Sequence, residues 1–154
     1  KLFPYVKEAA VYKCPSDNSK GGNGPRIRSF SMNSLVGDPG QALDQFNPNY
    51  VQVFKMTQFA RPADTFVFLE EHPDTIHFGL FANFWDDNFW TALPASYHNR
   101  SANLHFADGH VESRHWACAD TGRPAVKGGA GVPFVPKSAT DWDWLKQRAG
   151  VRKQ

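Results

Sequence analysis

His98 and Asp108 are the first residues whose types invite a chemical reading: an imidazole, nine intervening residues, then a carboxylate followed by Gly109. A pair of this kind can hold a metal ion or pass a proton. The spacing predicts something else. A strand rises about 3.3 Å per residue, so ten steps would separate the two by roughly 33 Å. Even with a turn at Asn99-Arg100-Ser101, a strand from Ala102 to Ala107 keeps them apart. Asp108-Gly109 is therefore expected to build a hairpin turn, and His98 to hydrogen-bond at the other strand end.

His105, His110 and Glu112 make a second candidate set. With Asp108-Gly109 as a two-residue turn, Phe106 faces Val111 and Leu104 faces Ser113 on the apolar side. His105 then faces Glu112 on the polar side. A three-residue turn with a bulge would alter this pairing. Two imidazoles with one carboxylate suit zinc or iron, although the same residue types also make an ordinary solvated strand face. Glu70-Glu71-His72 follows an apolar run and reads as an acid–base cluster or as a polar strand exit.

Trp85 and Trp90 lie in Phe78–Trp90 with Phe81, Phe84 and Phe89. They are either stacking surfaces for a ligand such as a carbohydrate, or anchors that pin a loop to the core. Cys14 and Cys118 can form one disulfide in an oxidising compartment, or stand as two unrelated buried thiols. Asp17, Asp86, Asp87 and Asp120 are loop acids that show no calcium-loop pattern. No G-x-S-x-G, H-E-x-x-H or Cys-x-x-Cys is present, and Gly21 to Gly24 neither follows a strand nor opens a helix as a phosphate loop would. The expectation is a chain with no catalytic residues and no cofactor.

The elements that must position these residues are short. Leu2, Val6, Ala9 and Ala10 at near-helical spacing, with Pro4 in the first turn, predict a short helix within Leu2–Tyr12. Arg28–Asn33 alternates as a strand, and Val51–Phe54 is a further short strand. The continuous run Phe66-Val67-Phe68-Leu69 predicts a buried central strand over Thr65–Glu70. Ala102–Ala107 and His110–Arg114 form the hairpin. Thr140 is expected to cap a helix over Asp141–Arg148, with Asp143 in the capping-box position and Gly150 as the stop. Gly37–Asn49 and Ala119–Lys137 read as loops.

Composition bounds the whole. The chain has 154 residues, of which 41% are hydrophobic, enough for the core of one domain spanning residues 1–154. Thirteen Phe and 5 Trp favour sheet and packed loops over a helical bundle, and 12 Gly with 11 Pro predict many turns. A net charge of +2 without a basic stripe excludes a nucleic-acid surface. No apolar run reaches the roughly 18 residues of a membrane span, and no signal peptide opens the sequence. Lys1 in place of a methionine predicts that the natural product begins further upstream.

The stretch Tyr97–Trp116, with His98, nine residues, then Asp108-Gly109, resembles the H-x9-D-G signature of prepilin-type, processing-associated domain proteins. Leu2-Phe3-Pro4-Tyr5, Val11–Asp17, Ser29–Asn33, Ala60–Thr65 and Asp143-Trp144-Leu145 resemble the same family in the same order. The resemblance implies an α+β fold: a pilin-like antiparallel β-sheet head with short helices and long loops, lacking its N-terminal anchoring helix. It further implies a non-catalytic, pseudopilin-like subunit of an extracytoplasmic secretion or pilus-type assembly. Its partners would be other pilin-like subunits or secretion machinery, with the membrane reached only through the missing helix. The head would face the periplasm or the exterior, where a Cys14–Cys118 bridge survives. The alternative is a secreted binding module working through the aromatics of residues 78–90.

Overall fold

The computed structural model of the chain describes residues 3–21, 24–40, 46–126 and 132–154. The N-terminal helix is shorter than its periodicity predicts. Phe3–Val6 makes one turn, α1, and Lys7 then takes a left-handed φ of 58° that ends it. A separate 3₁₀ turn follows at Ala9–Tyr12, started by the Glu8 carboxylate accepting from the Ala10 N–H at 3.1 Å. None of that turn is buried, so no packed face supports a longer helix. Lys20–Gly21 (β1) and Gly24–Pro25 (β2), expected as plain loop, pair as a two-stranded antiparallel ribbon.

Five strands form the main sheet: β3 (Phe30–Asn33), β4 (Phe66–Glu70), β5 (Leu80–Phe81), β6 (Ser101–Phe106) and β7 (Val111–His115). Their order is β5-β3-β4-β6-β7, antiparallel throughout except for the parallel β3–β5 pair. The apolar run therefore occupies the central strand, as its composition predicts. Val51–Phe54 forms no strand; Val53 makes a single bridge to Val36. Together with the ten-residue C-terminal helix α2 (Thr140–Ala149), the described residues form a mixed α and β chain dominated by sheet and loops.

The two faces of the sheet differ. Ser31, Asn33, Phe66, Leu69, Phe81, Ala102, Leu104 and Phe106 are buried on one side. This face packs under Trp85, Trp90, Trp116 and α2, whose Trp142 and Leu145 are buried in the same cluster. Trp142 meets Trp85 with ring centroids 5.3 Å apart and Trp90 edge-on at 4.9 Å. Asn33 joins the layers: its amide donates to the Phe66 carbonyl at 2.9 Å and to the Ala149 carbonyl at 2.7 Å. Its oxygen accepts from the Leu35 N–H, so this buried amide is satisfied. The opposite face carries Phe30, Met32, Phe68, Leu80 and His105, all only half-buried, and Val111, which is 54% exposed.

The hairpin exists but in a different register from the two-residue expectation. Leu104 pairs with Glu112 and His105 with Val111. The Gly109 N–H donates to the Phe106 carbonyl at 3.0 Å, and the Phe106 N–H to His110 at 2.9 Å. Ala107-Asp108-Gly109 is thus a three-residue loop with Gly109 at φ 96°, the arrangement of a turn followed by a bulge. One residue of slip moves every β7 side chain to the other face. Glu112 and Arg114 turn toward the covered side, where the Arg114 guanidinium lies 4.5 Å over the Trp144 ring and 3.9 Å from Asp141.

The start of α2 also departs from expectation. Thr140 is its first residue, Ala139 occupies the cap without a side-chain hydrogen bond, and no capping box forms. Asp141 is fully buried instead and accepts from the N–H groups of Ala117 at 3.1 Å and Cys118 at 2.8 Å. Gly150 follows the helix in extended backbone, and close packing explains it: an added Cβ would lie 2.9 Å from Leu35 Cδ1. Among the described residues no helix is long and apolar enough to cross a membrane.

Candidate functional site

The Cys14-Pro15-Ser16-Asp17 turn is held by a closed set of bonds. The Asp17 N–H donates to the Cys14 carbonyl at 3.0 Å. The Cys14 N–H donates to Ser29 Oγ at 3.1 Å, and the Ser29 hydroxyl donates to Asp17 Oδ2 at 2.7 Å. Asp17 also accepts from the Ser19 N–H at 2.9 Å. Burial pushes the Asp17 carboxyl up, but the bonds from Ser19 and Ser29 outweigh it and hold the group below its ordinary range. The Ser29 N–H donates to the Tyr12 carbonyl at 2.8 Å, so the whole turn is fastened to the residue preceding β3.

His98 enters from a second tight turn. Its N–H and carbonyl exchange bonds with Ser101 at 3.3 and 3.1 Å, while Asn99 and Arg100 both take positive φ, 50° and 63°. The His98 Nε2 atom lies 3.1 Å from Glu70 Oε1 and 3.5 Å from Cys14 Sγ. Glu70 ends β4, and its other oxygen accepts the Asn103 N–H at 2.8 Å. Cys14 and Glu70 are buried, whereas the His98 side chain is 33% exposed. Ligand atoms of all three lie within 4.8 Å of one another, the one such cluster of histidine, cysteine and acids among the described residues. Burial, reinforced by the Glu70 carboxylate, pushes the Cys14 thiol up to about 11.

This trio crosses three separate sequence sets. His98 belonged with Asp108, Cys14 with Cys118, and Glu70 with Glu71 and His72, each grouped with its chain neighbours or its like. The available signal was that all three sit at ends of elements, where a fold can bring distant side chains together.

Other candidates are placed differently. His98 and Asp108 lie at opposite ends of β6 and share nothing. Asp108 Oδ1 accepts the His110 N–H at 3.1 Å and lies 2.7 Å from its ring Nδ1, and that ring stacks on Phe106 at 4.4 Å. The metal set His105, His110 and Glu112 is not assembled: the register turns Glu112 to the face of Leu104, away from His105, which meets Phe30 edge-on. Trp85 and Trp90 are fully buried, so neither ring can serve as a stacking platform. Cys14 and Cys118 are both free thiols and form no disulfide: Cys14 Sγ faces His98, while Cys118 lies on the loop beside Ser138 and Asp141.

Glu71 and His72 are buried rather than gathered at an open strand exit. His72 Nδ1 accepts from the Asp74 N–H and Nε2 faces the Arg123 carbonyl at 3.2 Å, and burial holds the ring's pKa down. The neutral ring thus has one defined tautomer and ties two loops together.

Compared with family models, with curated proteins and with solved structures, the chain matches none.

Proposed function

We propose that the chain is the globular head of a pilin-like, pseudopilin-type subunit: a non-catalytic component of an extracytoplasmic secretion or pilus-type assembly. The carrying observation is the asymmetry of the sheet. One face is sealed by tryptophans and α2, while the other presents Phe30, Met32, Phe68 and Leu80 half-covered. A sheet face whose apolar side chains stay partly exposed suits a packed apolar helix, the occupant that pilin-like subunits supply from their N-terminus.

A second support is that the separated motif segments of the resemblance meet in space. Ser29 bonds both Cys14 and Asp17, Asn33 bonds the end of α2, and His98 contacts Cys14. Partners on this reading are other pilin-like subunits or secretion machinery, and the location is the periplasm or cell exterior with anchoring through an N-terminal helix. The carbohydrate-binding alternative loses its residues with the burial of Trp85 and Trp90.

The test is the natural full-length gene product expressed in its own host. The proposal predicts a precursor cleaved by prepilin peptidase and a mature form in the membrane or filament fraction. Cleavage by an ordinary signal peptidase followed by release, or an unprocessed product in the cytoplasm, would contradict it.

A further inference from the structure

Cys14, Glu70 and His98 bring three potential ligand atoms together within 4.8 Å of one another. Both Cys14 Sγ and Glu70 Oε1 lie against the same ring nitrogen, Nε2 of His98, at 3.5 and 3.1 Å. A single imidazole nitrogen either carries a proton or accepts one, so it serves only one of the two at a time, and without a cation the Cys14 thiol turns to the Glu70 carboxylate. Nor is the arrangement that of an activated thiol. In a thiol–imidazole–carboxylate relay the nucleophile and the orienting acid sit on opposite ring nitrogens.

A shared cation suits the convergence. Zinc bonds of about 2.3 Å to sulfur and about 2.05 Å to nitrogen or oxygen, at tetrahedral angles, set S···N at about 3.6 Å and N···O at about 3.3 Å. The observed pair distances fall close to both. A thiolate and a carboxylate would neutralise a dication within a pocket where Cys14 and Glu70 are buried, meeting the requirement that buried charge be compensated. The mixed sulfur, nitrogen and oxygen set fits zinc-class ions. It does not fit calcium or magnesium, which take oxygen alone.

The surroundings hold the ligand atoms in place as a metal site needs. Ser29 and Asp17 fix the Cys14 backbone, the Asn103 N–H orients Glu70, and the turn at Asn99-Arg100 aims His98. We propose that Cys14, Glu70 and His98 bind one zinc-class divalent cation, with the fourth position open toward solvent past the part-exposed His98 ring. Bound there, the ion fastens the N-terminal turn to the end of β4 and the start of β6. This site stands independently of the pilin-like reading.

Cobalt(II) titration of chelator-treated protein tests it, because a cobalt–thiolate bond gives an intense near-ultraviolet charge-transfer band. One equivalent should bind with that band and be displaced by one equivalent of zinc. The chain has 2 cysteines, so the band surviving in Cys118→Ser assigns the thiolate to Cys14 without relying on a variant at the site. Cys14→Ser should lose the band, and Glu70→Gln should weaken binding at least about tenfold. Wild-type protein giving no thiolate band, or a band lost in Cys118→Ser and kept in Cys14→Ser, would overturn the proposal.

Discussion

At the residue scale, Glu71 shows how one buried group sets a property of the whole chain. It sits just past β4 with its carboxyl accepting the Thr75 hydroxyl at 3.2 Å. Burial pushes it from 4.5 up to about 8, against the pull of Ser31, Thr75, Arg28 and Arg26. Its folded-state pKa is thus above the unfolded one, and between those values the folded chain keeps a proton that the unfolded chain has lost. Stability must fall as pH rises through that window. Urea unfolding should show wild-type stability dropping from pH 5 to pH 8 by roughly 3–4 kcal/mol more than in Glu71→Gln. Parallel pH profiles for the two proteins would rule this out. The sequence placed Glu71 in an open polar cluster, because a carboxylate beside another carboxylate and a histidine looks solvated until the covering loops are known. Cys14, Glu70 and His98 escaped grouping for a related reason: no local pattern records a contact between residues 84 apart in sequence.

At the scale of elements, hairpin and central strand were legible, and the register was not. Asp-Gly fits both a two-residue turn and the last positions of a three-residue loop, so local turn chemistry leaves one residue of freedom. Partners elsewhere in the chain decide it: Arg114 has Trp144 and Asp141 to meet on the covered face, and Val111 yields that side to it. The same holds for α2. Asp141 reads as a residue that complements the helix dipole, yet it is spent on the N–H groups of Ala117 and Cys118. Gly109, with φ 96° and nothing within 4 Å of an added Cβ, isolates the backbone contribution of the turn. Gly109→Ala should cost about 1–2 kcal/mol in chemical denaturation, and Gly109→Asn measurably less. Equal stability of all three proteins would place the turn in another conformation.

At the scale of the molecule, composition and the central apolar strand pointed to one sheet-rich fold, and the tryptophans were legible as either core or platform. Their burial follows from α2, since Trp142 needs aromatic partners and finds Trp85 and Trp90. The remaining asymmetry is the half-covered face around Phe68, which in the proposed function receives an apolar helix. Phe66, two residues earlier, is put on the sealed side by the register shift between Phe66 and Phe68, belongs to the core and is fully buried. Phe68→Asp in the natural full-length product is the most direct measurement. The 154-residue chain carrying it should keep its wild-type circular dichroism, while the full-length variant should vanish from the assembled or membrane-bound fraction. A folded variant that still assembles like wild type would show that this face is not where the partner helix lies.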